Sequence, residues 1–298
     1  MQVRGNVPQT IRSFSRRQFM NTAALGAAAI GFGAFKPEKH QFIIRFDTES
    51  RRREGMKGFF EKVVSVQRSN EIPVSFFCQG SAIVKRESEF RAFHQEINGD
   101  QLFDIQDHSY SHVGLGYAEG KSIEVLRADY ENSFSTHERV FGSRPIGVSL
   151  CGTKVDGDHL SGFDATDKSR AELDMLADMG IRMVNTFHSA HDSNHEFIDY
   201  SDLGHPEMMG FPSANSDNGW VRGRNFGDPV EYIVSEIRKN APLGKHMAIM
   251  FHDDTEWIDV DDKELDLFKL VADVARENGY ELSTHVGCYD RFKQQQVE

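Results

Sequence analysis

The stretch QFIIRFDTE, Gln41 to Glu49, decides the fold. Its apolar front, QFIIRF, predicts a short strand. Two carboxylates, Asp47 and Glu49, close it. Two positions apart in an extended segment, they share one face. Alone they would suit a helix cap or a solvated turn equally well. The chain around them alternates. Residues 58–67 predict a helix, and IPVSFF (Ile72 to Phe77) predicts a second strand. Residues 88–97 predict a helix, and LFDI (Leu102 to Ile105) a third strand. Ile123, Leu126, Tyr130 and Phe134 line one helix face, which Gly142 ends. IGVSL, IRMVNT, MMGF, HMAIMF and YELSTH read as later strands. Helices over 172–179 and 229–239, and one through Leu267, Leu270, Val271 and Val274, separate them. Alternation on this scale predicts a single α/β domain over residues 36–298, with a parallel sheet or barrel. Active sites in such folds gather at the C-terminal ends of strands. Residues 189–227, rich in His, Asp, Asn and Gly, predict long loops over one face.

The chain has 298 residues and a formal charge of −12. Residues 1–35 carry four arginines and no acid, so the remainder stands at −16. Such a surface excludes non-specific nucleic-acid binding, which needs basic charge. No run of 18 apolar residues follows position 36, so the body predicts no membrane span. Glycine-rich phosphate loops are absent, and nucleotide use has no support. Cys78, Cys151 and Cys288 lie far apart, which argues against a disulfide framework or a thiolate zinc site.

Residues 1–35 predict an export signal rather than part of the fold. Arg16 and Arg17, followed by Phe19, precede the Ala/Gly-rich stretch TAALGAAAIGFGAF (Thr22 to Phe35). The arginine pair resembles a twin-arginine signal. Its partner would be the twin-arginine export machinery, and the chain's place periplasmic, extracellular or in the cell envelope. An amphipathic first helix fits poorly, because the stretch has no polar face.

Polar residues recur where the predicted strands end. The third strand leads into QDHSYSH (Gln106 to His112), with His108 and His112 four apart. That spacing puts both imidazoles on one side of a helical turn or tight loop. Imidazole is the commonest neutral metal ligand. HMAIMF is followed by His252 and Asp253. Each cluster alone has a bland reading as a turn. Their repetition at strand ends predicts a metal site. His188, His191, His195 and His205 read instead as solvated loop residues, and Trp220 and Trp257 as sugar-stacking or core residues.

FDTES, IPVSFFCQG (Ile72 to Gly80), DIQDHSYSH (Asp104 to His112), VFGSRPIGV (Val140 to Val148), LADMGIRMV and IMFHD (Ile249 to Asp253) resemble motifs of the polysaccharide deacetylases of carbohydrate esterase family four, the NodB-homology domain. The resemblance covers roughly residues 41–292. It implies a distorted (β/α) barrel of about seven parallel strands. It also implies a divalent ion held by Glu49, His108 and His112, with Asp47 as base and His252 as acid; the reverse assignment of Asp47 and Glu49 is the alternative. Asp253 would orient the His252 ring or cap the next turn. Three protein ligands and an open position suit zinc, with cobalt, nickel or iron as other occupants. Water activated by the ion would attack an N-acetyl group of a glycan, and His252 would protonate the leaving amine. The family's base-orienting arginine is missing: Ser149 stands in its place. Arg144 is too distant to substitute, leaving Arg222 or Arg224. Two other readings stay open: hydrolysis of another non-peptide C–N bond, as allantoinase-like relatives perform, or a catalytically inactive glycan-binding relative.

Overall fold

The computed structural model describes residues 40–50, 54–114, 121–151, 170–187, 196–214, 229–253 and 264–295. The predicted export signal, Arg222, Arg224, Trp220, Trp257, His188, His191 and His195 lie outside them.

QFIIRFDT forms β1, Gln41–Thr48, and every residue of it is buried. A parallel strand covered on both faces reads this way, as an apolar run rather than an alternation. β1 pairs in parallel with β2 (Val74–Cys78) on one side and with β8 (Met247–His252) on the other. From β2 the order continues through β3 (Phe103–Asp107), β4 (Gly147–Ser149), β5 (Met183–Phe187) and β7 (Met209–Ala214) back to β8. Seven parallel strands thus close into one barrel, as the resemblance implies. Two short strands stand outside this ring. β6 (Ile198–Asp199) runs antiparallel to β7. β9 (Glu281–Ser283) pairs with residues 41–43 of β1, below the rows that pair with β2.

The pleat of β1 sorts its residues. Phe42, Ile44 and Phe46 face the surrounding helices and join a core with Phe59, Phe60, Phe76, Phe251 and Phe268. Phe46 stacks on Phe76 at 5.7 Å between ring centroids, and Phe60 on Phe93 at 4.0 Å. Burying each ring contributes about 2–3 kcal/mol. Ile43 faces the barrel interior with Met183, Phe211 and Ala248. Arg45 and Asp47 follow on that inward face at the strand period of two.

Helices Lys57–Ser69, Glu87–Ile97, Ile123–Phe141, Arg170–Asp178, Pro229–Asn240 and Asp266–Glu277 occupy the predicted segments. Gly142 ends its helix in the left-handed conformation, with φ 79°. The chain also forms helix His285–Gln295, which the sequence reading did not anticipate. All three cysteines are buried and free.

Asp104 on β3 has a pKa raised from 3.8 to about 6, because burial outweighs the bond it accepts from Val286 N at 3.0 Å. Between those values the folded chain holds a proton that the unfolded chain has lost. Stability from this group therefore falls as pH rises through that window, by at most about 3 kcal/mol. Asp104→Asn removes the titration. Thermal melts from pH 4 to 8 are expected to show the variant gaining on the wild type as pH rises to about 6, then holding level. A constant difference would refute this account.

Candidate metal centre and active site

The predicted residues meet at the C-terminal mouth of the barrel. Beyond β3 the chain turns sharply, and His108 and His112 lie on a tight loop rather than a helix. Ser109 and His112 both take left-handed backbone angles, φ 55° and 61°. Such residues cost about 1–3 kcal/mol each and persist only where their surroundings fix them. Here the surroundings are dense. Asp107 Oδ1 accepts Ser109 N at 2.7 Å, and its other oxygen takes the Ser133 hydroxyl. Asp129 accepts the N–H groups of Tyr110 (2.8 Å) and Ser111. Gly80 N and Ser81 N donate to the carbonyls of Ser109 and Tyr110 at 2.9 and 3.0 Å. Gly80 must be glycine for this approach: a Cβ there would stand 2.7 Å from Ser133 Oγ and 2.8 Å from Tyr110 Cδ2.

The loop aims two imidazoles at Glu49. His112 Nε2 lies 2.9 Å from Glu49 Oε1, and His108 Nε2 lies 3.3 Å from the same oxygen. His108 Nδ1 lies 3.2 Å from the Ser149 carbonyl and donates its N–H there, so that with an ion bound Nε2 would be the nitrogen to offer its lone pair. Burial raises the Glu49 pKa, but the hydrogen bonds and charges of the two histidines prevail and hold its carboxyl far below the ordinary range. Burial likewise opposes charge on His108, and the charge of Asp47 and the hydrogen bond to Glu49 favour it.

A second donor grouping overlaps the first. His108, His112 and Cys151 present ligand atoms all within 4.8 Å of one another. This thiol was not anticipated from the sequence. Cys151 Sγ, however, faces His108 Nδ1 at 3.6 Å, on the side committed to Ser149. An ion shared with Cys151 through Nδ1 would have to displace the Ser149 carbonyl from that nitrogen. Burial also keeps Cys151 a neutral thiol by raising its pKa. The set Glu49, His108 and His112 therefore fits an ion better. Its 2.9 and 3.3 Å separations approach the roughly 3.3 Å between ligands on a tetrahedral zinc with bonds near 2.0–2.1 Å.

Asp47 sits beside this set, 2 % exposed. Its Oδ1 accepts the Ser149 hydroxyl at 2.9 Å, and Arg45 Nη2 lies 3.6 Å from Oδ2. Ser149 thus meets the carboxylate where the family motif has arginine. Arg144 instead pairs with Glu131 on the surface at 3.1 Å. His252 is half-buried and in register with Asp47 across the β1–β8 pair, so both side chains rise on one face. Asp253 grips the neighbouring turn: it accepts Glu49 N at 3.2 Å and Ser50 N at 2.9 Å. Of the loop histidines, His205 lies away from this cluster and pairs with Asp174 at 2.7 Å.

A cavity of about 310 Å³ opens beside the cluster, lined by Glu49, Ser50, Gln79, Ser81, Ala82 and Lys85. Another, about 320 Å³, lies near the start of β3 against His94, Asp104 and Phe141. Among the described residues no helix is long and apolar enough to cross a membrane.

The fold is similar to solved structures of polysaccharide deacetylases. A Mycobacterium smegmatis protein provisionally described as a polysaccharide deacetylase matches with a TM-score of 0.62 and 13% identity, over 91% of this chain and 96% of that one. A mutant of the Bacillus subtilis peptidoglycan deacetylase PdaC matches with a TM-score of 0.50 and 15% identity, over 88% and 95%. A pseudoenzyme of the CE4 family from Bacillus anthracis matches with a TM-score of 0.50 and 11% identity, over 84% and 65%. No family model and no curated protein matches the chain. At such identities the likeness speaks to the barrel, and the chemistry rests on the residues.

Proposed function

We propose that this chain is an exported, metal-dependent hydrolase that removes N-acetyl groups from amino sugars of a surface polysaccharide or glycan. The observation that carries the reading is that His108 Nε2 and His112 Nε2 both lie within 3.3 Å of Glu49 Oε1, next to the buried Asp47. Glu49 and the two Nε2 atoms would hold the ion, and zinc suits that donor set. A divalent ion bound there supplies Lewis acidity toward the amide carbonyl and the attacking water.

The protein's own groups handle the protons. Asp47, held by Ser149 at 2.9 Å, takes one from the water as the new C–O bond forms. His252, on the adjoining strand, delivers one to the nitrogen as the C–N bond breaks. Acetate and a free amine leave. The cavity by Glu49 offers room for the sugar. Residues 1–35, with the Arg16–Arg17 pair, act as the export signal, and the catalytic domain spans 36–298.

The inactive-relative reading draws on one feature: Ser149 occupies the arginine position. Elemental analysis of the purified mature chain, with acetate release from acetylated chito-oligosaccharides, tests the proposal. Stoichiometric metal with acetate release supports it. Metal without acetate from any amino sugar favours hydrolysis of another C–N bond. Glycan affinity without metal favours the inactive relative.

A further inference from the structure

Arg45 is the most costly side chain to bury inside the barrel. It is 0 % exposed, midway along β1. Its guanidinium lies 5.3 Å from the Phe77 ring centroid, and Nη2 contacts Met250 Sδ at 3.0 Å. Nε and Nη1 have no hydrogen-bond partner. His285 packs edge-on against Phe77 at 5.0 Å, and burial together with Arg45 keeps it uncharged. Around this cation, then, the walls are a ring face, a thioether and a neutral imidazole. Such surroundings would suit methionine better than a guanidinium. Asp47 is the carboxylate that answers it, 3.6 Å away and on the same strand face. That gap exceeds a good hydrogen bond, so the pair acts through charge and direction. Ser149 holds the opposite carboxylate oxygen.

We propose that Arg45 and Ser149 are positioning residues for Asp47: the buried guanidinium from below and the hydroxyl from the side fix both carboxylate oxygens, so that Asp47 presents one orientation to the barrel mouth. The inference rests on the reading of Asp47 as the base. It assigns Arg45 to the site rather than to the stability of the core.

A thermal double-mutant cycle on the mature chain tests it without needing activity. Arg45→Met leaves the Asp47 charge unanswered, and Asp47→Asn leaves the cation unanswered, so each alone is expected to lower Tm. The double variant removes both charges, and its Tm is expected to return to the wild-type value or exceed it. A double variant less stable than Arg45→Met would show Arg45 to be a core residue and overturn the proposal. In the acetate assay, Arg45→Met is expected to lower kcat by about 10- to 100-fold, with KM and metal content near wild type. Arg45→Lys should restore part of the loss, and Ser149→Ala should give a smaller fall. Unchanged kcat in Arg45→Met would also overturn the proposal. Should Arg45→Met not fold, Arg45→Lys and the double variant still decide it. A wild type that releases no acetate sinks the deacetylase reading, while the thermal cycle still reports on Arg45.

Discussion

His108→Ala is expected to strip the purified chain of its metal. The ring offers Nε2 toward Glu49 and anchors Nδ1 on the Ser149 carbonyl, so its loss removes a ligand and frees the loop that carries His112. Loss of an outer partner typically costs 10- to 100-fold in metal affinity, so loss of a ligand is expected to exceed about 100-fold. Isothermal titration with zinc after chelation measures it. His112→Ala checks the result at a site 19% exposed, where truncation leaves little cavity. The two overlapping donor groupings make different forecasts. With Glu49 as the ligand, Glu49→Gln loses the metal and Cys151→Ser keeps it. The reverse pattern would move the ion to the Cys151 side of the ring.

His252→Asn is expected to keep the metal and lose turnover. His252 pairs in register with Asp47 on the neighbouring strand, and the proposed role makes it a proton donor rather than a ligand. Removing a general acid slows the chemical step by about 10²–10⁴-fold. The loss should fall on kcat, and metal content should stay at wild type. Substrates with a better leaving group than a sugar amine should regain much of the rate, because they need less protonation. If the metal disappears with His252, the residue is a ligand, and the assignment of acid fails.

Much of this was legible along the chain. β1, β2 and β8 are buried on both faces and therefore read as apolar runs. The catalytic candidates stand where those runs stop. Other parts had no local signal. β6 spans two residues, too short for any periodicity. The spacing of His108 and His112 left a helical turn and a tight loop open, and the left-handed angles at Ser109 and His112 make it the loop, held by Asp107 nearby and by Asp129 from the next helix. Ser149 registered only as a missing arginine, and Cys151 only as one of three separated cysteines. Arg45 was hidden because one charge within an apolar strand says nothing of its face. Its place two residues before Asp47 was the available clue. The grip of Asp253 on the backbone after β1 joins segments some 200 residues apart and had no local signal either.

That grip links two reacting parties mechanically. Asp253 follows His252 directly and clamps the amides of Glu49 and Ser50. A shear along the seam between β1 and β8 would carry the proton donor and the ligand-bearing tip as one body. Under the proposed mechanism, the acid and the ligand would then keep a constant separation even where the rest of the barrel mouth gives way to a substrate.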